Sequence, residues 1–195
     1  MKFPLIFALV FCSMNAPCND VTNFDHFNLQ VNLGMSHETL NSKKSSSTED
    51  SSESFNQFEM RPQLTYYFTN DLAAGVYYFQ KSLLADFNSS GIGAFVRYYY
   101  LGRGSVLKSK LDNKKINQSP VWAPYVQLGG KRETLEAETV SISFTGFDLA
   151  AGVDWHWSKD YFLNFSASMS TQTSGATRDL TSQTFLIGIG KAFSF

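Results

Sequence analysis

From residue 27 onward, apolar and polar residues alternate with a period of two. Phe27, Leu29, Val31, Leu33 and Met35 alternate with Asn28, Gln30, Asn32, Gly34 and Ser36. A period of two puts successive side chains on opposite faces of an extended chain, so this stretch predicts a strand with one apolar and one polar face. Residues 58–68 repeat the pattern. Phe58, Met60, Pro62, Leu64, Tyr66 and Phe68 lie on one side, and Glu59, Arg61, Gln63, Thr65 and Tyr67 on the other. Pro62 has no N–H to give to a ladder, which predicts a bulge or a missed pairing there.

Six further segments complete the set. Residues 72–80 and 91–100 form two candidates; in the second, Ile92, Ala94, Val96, Tyr98 and Tyr100 oppose Gly93, Phe95, Arg97 and Tyr99. In 121–131, Trp122, Val126 and Leu128 oppose Tyr125, Gln127 and Gly129. In 146–157, Phe147, Leu149, Ala151, Val153 and Trp155 oppose Asp148, Ala150, Gly152, Asp154 and His156. Residues 161–170 and the closing stretch 185–195 alternate likewise, the last setting Phe185, Ile187, Ile189, Phe193 and Phe195 against Leu186, Gly188, Gly190, Ala192 and Ser194. Lys191 departs from the alternation and leaves the register of that strand open. The mature chain has no helical periodicity. Eight strands of roughly 9–11 residues match what a tilted membrane strand requires.

The connections alternate between long and short, as in barrels with tight turns at one end and larger loops at the other. The Ser-rich 39–54, 132–145 and 171–182 are read as long loops, and 69–71 and 158–160 as tight turns. The basic connection from Gly102 to Pro120 breaks the rule: it falls on the short-turn side, yet it is long, with Leu107, Leu111 and Ile116 compatible with a short helix or an extended hairpin.

Alternation alone does not say which face is inside. A soluble barrel puts apolar residues inward and a membrane barrel outward. The polar face is rich in Gly, Ala, Ser and Asn, which suit a narrow lumen; a solvent face would carry Lys and Glu. The apolar face is bulky, with aromatics near strand ends (Phe27, Tyr66, Phe68, Tyr98, Tyr100, Trp122, Trp155, Tyr161, Phe193, Phe195), read as girdles at both membrane interfaces. The fold class expected is therefore all-β, an eight-stranded antiparallel up-and-down transmembrane β-barrel. A soluble lipocalin-like binding barrel is the alternative.

Composition agrees. Aromatic residues make up 15% and charged residues only 17%, and the net charge of −1 does not suggest a nucleic-acid partner. Lys2 and the apolar run that follows it read as a secretory signal over residues 1–18, with cleavage after Ala16 or after Cys18, and 19–195 as the barrel domain. The run is too short to span a membrane as a helix. Cys12 and Cys18 give no disulfide framework, and Phe11 and Pro17 before them fit a lipid anchor badly.

The ending on Phe195, with Phe193, Ile189 and Ile187 in alternation before it, resembles the bacterial outer-membrane β-barrels, most closely the small OmpA/OmpX-type families. The segments "GAFVRYYY", "APYVQLGG" and "FDLAAGVDWHWSKD" carry the same resemblance. It implies a bacterial outer-membrane location and contact with outer-membrane lipid. It also implies that Phe193 and Phe195 form a signal for the barrel-assembly machinery, and that surface ligands meet the loops.

Glu59, Arg61, Arg97, Lys131, Asp148 and Asp154 fall on the inward face, with Arg97 placed at mid-depth. An eight-stranded barrel is only wide enough to be filled by side chains, and buried charges must pair. A structural polar plug is expected, with a gated ion path as the alternative. The His156-x-Ser158 pair invites comparison with outer-membrane lipid A deacylases, which combine His, Ser and an acid. It sits at a turn on the wrong side for that substrate, and the companion residues of that family's motif are missing. His26, His37 and His156 have no paired metal-ligand spacing, and no phosphate loop is present, so no catalytic residue, metal or cofactor is expected. The function expected is structural or surface-interacting (adhesion, membrane integrity) through exposed loops; a lipid-modifying enzyme and a narrow pore are the alternatives.

Overall fold

The structure is a computed structural model that describes residues 27–42, 51–69, 71–83, 87–101, 107–111, 114–118, 122–137, 140–157, 161–175 and 178–193. The segment read as a signal (1–18), with Cys12 and Cys18, lies outside the described residues. So do Ser158 and Phe195.

Ten strands follow one another: β1 (Phe27–Ser42), β2 (Ser51–Tyr67), β3 (Leu72–Leu83), β4 (Phe87–Tyr99), β5 (Leu107–Leu111), β6 (Lys114–Gln118), β7 (Trp122–Ala137), β8 (Val140–His156), β9 (Tyr161–Ser174) and β10 (Arg178–Phe193). Eight of them close into a barrel in the order β1-β2-β3-β4-β7-β8-β9-β10, and β5 and β6 pair separately as a two-stranded sheet. Every neighbouring pair is antiparallel. The basic connection thus contains the extended hairpin that was one of its two readings.

The closing contact is complete. β1 and β10 pair without interruption from Phe27–Phe193 to Ser42–Arg178, so no edge is left to face lipid, where each unsatisfied backbone group would cost several kcal/mol. Following cross-strand partners from Leu29 through Leu64, Val76, Ala94, Gly130, Phe147, Thr171 and Thr181 returns to β1 at Thr39, ten residues further along. That stagger tilts the strands against the barrel axis.

The outward face is greasy and the inward face polar. Leu29, Val31, Leu33 and Met35 are exposed, as are Phe147, Leu149, Ile187 and Ile189, while Asn28, Gln30, Asn32 and Ser36 on the same first strand are buried. A soluble barrel would have the opposite arrangement, so the lipocalin-like alternative is excluded by orientation. The outward apolar positions form a continuous belt, limited at one end by Trp122, Trp157 and Tyr161 and at the other by Met35, Phe58, Ile92 and Phe147, consistent with the ~25 Å band of such barrels.

Three expectations change. The eight barrel strands have 12 to 17 residues, not roughly 9–11, because the ladders continue past the belt. Much of the Ser-rich 39–54 and most of 132–145 and 171–182 is therefore strand, and the corresponding gaps shrink to 43–50, 138–139 and 175–177. The aromatics form one girdle. Phe27, Tyr66 and Phe68, and Trp122, Trp155, Trp157 and Tyr161, contact one another in two runs at the end where the described chain begins and ends. The opposite rim has no such run among the described residues and carries single Phe58 and Phe147. Of the two outcomes expected at Pro62, the missed pairing is the one found, without a bulge. It keeps its partner Val31 on β1, and the ladder to β3 breaks for two residues between Met60–Gln80 and Gln63–Tyr77, resuming in the same register. A missing N–H removes a bond from one side of a strand only.

Lys191 leaves the register intact. It pairs with Leu29 and Tyr161, and its Nζ lies 5.5 Å from the Tyr161 ring centroid and 5.3 Å from that of Phe193. A lysine at the rim of the belt can lay its stem on apolar surface and its charge toward water.

Candidate functional site

The inward face is the first candidate, because it concentrates the charges. All six predicted residues, Glu59, Arg61, Arg97, Lys131, Asp148 and Asp154, point inward and are at most 4% exposed. They do not form one cluster. They belong to three levels stacked along the barrel.

The level nearest the termini is built on Arg97. Its guanidinium donates to Gln127 Oε1 from Nε (3.1 Å) and Nη2 (2.9 Å), and to the Tyr99 hydroxyl from Nη1 (3.0 Å). Tyr99 in turn donates to Asp154 Oδ2 at 2.7 Å, and Asn164 Nδ2 reaches Asp154 Oδ1 at 2.7 Å and the Tyr125 hydroxyl at 2.8 Å. Both Asp154 oxygens are thus occupied, and the Arg97–Asp154 ion pair is looser at 3.7 Å. Tyr67, Ala73, Tyr99, Ala123 and Tyr125 pack beneath as an aromatic floor. Arg97 therefore sits one inward position from this floor and not at mid-depth: its place follows from β4 ending at Tyr99.

The middle level holds Glu59 and Arg61, with Arg61 Nε donating to Glu59 Oε1 at 2.6 Å and its guanidinium 4.8 Å from the Tyr77 ring centroid. Tyr77, Phe79 and Phe95 pack together on this side. Asp148 lies on the other side, opposite Gly129 on β7 and Ser170 on β9. Both of its oxygens are buried without a hydrogen-bond partner among the described residues, as is the Ser170 hydroxyl.

Of the upper level, only Lys131 was expected. Lys81 donates to Glu38 and, at 2.7 Å, to Glu133 Oε1; Ser89 also donates to Glu133 Oε1 (2.9 Å), and Gln172 to Oε2 (2.9 Å). Lys131 approaches Glu133 Oε2 at 3.4 Å. Above it, Leu135, Phe144 and Leu180 form an apolar cap, with Leu40, Phe55 and Ile142 packed against it. The signal for Glu38 and Lys81 was present: each continues the inward alternation of its own strand. It went unread for Lys81 because the strand was ended at Gln80, and for Glu38 because the polar face was followed only to Ser36.

Together these levels fill the lumen with side chains from floor to cap. The arrangement can hold the wall in shape and satisfy buried ions; the hydroxyls that meet a carboxylate in it, Ser89 at Glu133 and Tyr99 at Asp154, are buried. His156 is half-buried, its ring 5.3 Å from that of Phe162. His37 is exposed on the outer wall, with Nδ1 2.8 Å from Asn56 Oδ1. Phe193 faces outward beside Phe27.

The second candidate is the collar where strands rise beyond the belt. Its outer wall is hydroxyl-rich and cross-strand bonded, with Thr39 to Ser54 at 3.0 Å and Thr134 to Ser143 at 3.2 Å.

No protein-family model matches the sequence, and no curated protein matches it at a significant level. Solved structures do share its fold. Neisserial surface protein A is similar over 88% of this chain and 99% of its own, with a TM-score of 0.59 and 17% identity. The outer membrane protein OprG from Pseudomonas aeruginosa is similar over 89% and 99%, with a TM-score of 0.53 and 14% identity. At these identities the likeness is one of architecture: this chain has the closed, all-antiparallel, eight-stranded barrel of small outer-membrane proteins.

Proposed function

We propose that this chain is a bacterial outer-membrane barrel whose role is structural and surface-interacting, exercised through the collar and loops at the end away from the termini. The observation that carries this is the filled lumen. An aromatic floor, three polar levels and an apolar cap occupy the interior, which favours a plug over a pore. Glu59, Arg61, Arg97, Lys131, Asp148 and Asp154 serve in it as structural ions. The collar, in contrast, presents Ser and Thr on a rigid support, and rigid scaffolds with variable connections are where binding is commonly placed. Residues 1–18 serve as the export signal, and Phe193 and Phe195 as the mark read by the assembly machinery.

The test combines two measurements on the full chain. Purified barrel in planar bilayers is expected to show no stepwise conductance, and Thr134→Cys in intact cells is expected to react with an impermeant maleimide while Trp157→Cys does not. Stepwise conductance overturns the plug. Labelling of Trp157→Cys alone overturns the orientation.

A further inference from the structure

The outer wall is not uniformly convex. A groove of about 900 Å³ crosses it, lined on the outside by Leu29, Leu64, Val76, Ile92, Gly130 and Phe147, with Arg132 at its upper rim. It follows the hydrogen-bonding direction, since Leu29, Leu64, Val76, Ala94, Gly130 and Phe147 are successive cross-strand partners. The groove therefore climbs diagonally through the belt toward the collar. Its floor is low because Ala94 and Gly130 have little or no side chain. A Cβ at Gly130 would meet nothing nearer than Gly146 O at 3.8 Å, so the position faces open space. Its wall is high because Ile92 and Phe147 stand out from the barrel, Phe147 with 76% of its surface exposed.

Arg132 gives this groove a direction. It is the next outward residue after Gly130 on β7, is exposed, and pairs with Ile92 and Thr145. Its outward neighbours just beyond the belt, Gln80, Ser90, Thr145 and Thr171, carry no charge. Arg132 makes no ion pair among the described residues. A second groove of about 390 Å³, between Leu149, Met169 and Phe185, ends at Gln183 and has no cation in its lining.

We propose that the larger groove is a lipid site that seats one acyl chain of an anionic phospholipid-type molecule of the outer leaflet, its phosphate held by Arg132. Guanidinium matches phosphate in geometry and charge. A chain along Gly130 and Ala94 fills a furrow that bulkier residues would close. The proposal rests on the barrel spanning the membrane and goes beyond its role as a plug and collar.

The test uses the full chain in mixed micelles, with phosphatidylglycerol and phosphatidylcholine of equal chain length as probes, read by native mass spectrometry. One phosphatidylglycerol per barrel is expected to be retained in preference to phosphatidylcholine. Arg132→Gln should lower that retention about five-fold, the size of an exposed ionic contact. Gly130→Phe, or Ala94→Leu should the first not fold, should abolish it with Arg132 in place. Ala167→Phe, in the second groove, should leave it unchanged. Equal retention of the two lipids, or indifference to both substitutions, would overturn the site. Heat-modifiable migration of every variant separates these outcomes from a failure of the barrel to insert.

Discussion

Arg97 stacks on Tyr125, its guanidinium carbon 3.8 Å from the ring centroid, while the Tyr99 hydroxyl links it to Asp154. One cation thus organises an aromatic floor and an acid at once. Removing it leaves Asp154 buried with two neutral donors and no nearby positive charge. Arg97→Ala is expected to cost about 3–5 kcal/mol, the usual consequence of breaking a buried pair. Arg97→Met with Asp154→Asn should cost clearly less than the two single changes added, because the residues share one network. Urea unfolding in phospholipid vesicles, followed by tryptophan emission, measures both.

Asp148 should behave in the opposite way to Asp154. Among the described buried residues there are acids at 38, 59, 133, 148 and 154 and bases at 61, 81, 97 and 131, so one acid is in excess. Asp148 is the one whose two oxygens both lack a partner, whereas Asp154 accepts from Tyr99 and Asn164. Arg61 and Lys131 act on Asp148 through space without a hydrogen bond, so Asp148→Asn, which removes the acid in excess at constant shape, is expected to leave the urea midpoint unchanged or raise it. Asp154→Asn replaces an acceptor by a donor facing Asn164 and should lower stability by about 1–3 kcal/mol. A lower midpoint for Asp148→Asn would mean that this carboxylate is satisfied in solution.

Most of the architecture could be read from the chain. The alternation of Leu29, Val31 and Leu33 with Gln30 and Asn32 predicted the strand, and the small size of Gly129, Gly152 and Gly188 predicted which face was inside. What escaped were features set by contacts between strands. Glu133 lies in a segment as polar as any loop, and only its register opposite Gly91 and Phe144 makes it strand. Its partner Lys81 is 52 positions away in sequence, and no local pattern joins them. The reduction of the girdle to one rim was hidden for a related reason: which end of a strand an aromatic occupies depends on chain direction, and Tyr66 closing β2 lies beside Phe27 opening β1. Asp148 was found but not its lack of a hydrogen-bond partner among the described residues, since a residue's face is periodic and its partners are not.

Gly190 is a place where the wall admits no side chain. A Cβ there would lie 2.1 Å from Phe162 Cζ, within a ring that is fully buried against β10. The flat ring over a glycine seals the lumen beside the floor, and β-sheets often cover glycines with aromatics in this way. Gly190→Ala is expected to displace Phe162 and lower stability by about 1–3 kcal/mol, as overpacking does. Phe162→Leu should recover part of the loss. Gly130→Ala, added on the open outer wall, should be near neutral. Comparing the three by the temperature at which the heat-modifiable band shifts checks the contrast.

Closure itself can be tested covalently. Thr39 and Thr181 are direct partners across the β1–β10 seam, beyond the apolar belt and within reach of a water-soluble oxidant. Opposed residues on an antiparallel pair have Cβ atoms about 4.5–5.5 Å apart, near the span a disulfide bridges. With Cys12 and Cys18 changed to Ser, Thr39→Cys with Thr181→Cys should cross-link in the folded state, closing a loop of most of the chain and altering its migration after boiling unless reductant is present. Thr39→Cys with Gln183→Cys, two residues out of register, should cross-link far more slowly, because diagonal neighbours lie about 7–8 Å apart. Faster bonding in the second pair would shift the seam by two residues. That would break the alignment of Val31 with Ile189, and with it the stagger of ten residues that sets the tilt of every strand. Bonding in neither pair would mean an open seam, which the hydrocarbon interior does not tolerate.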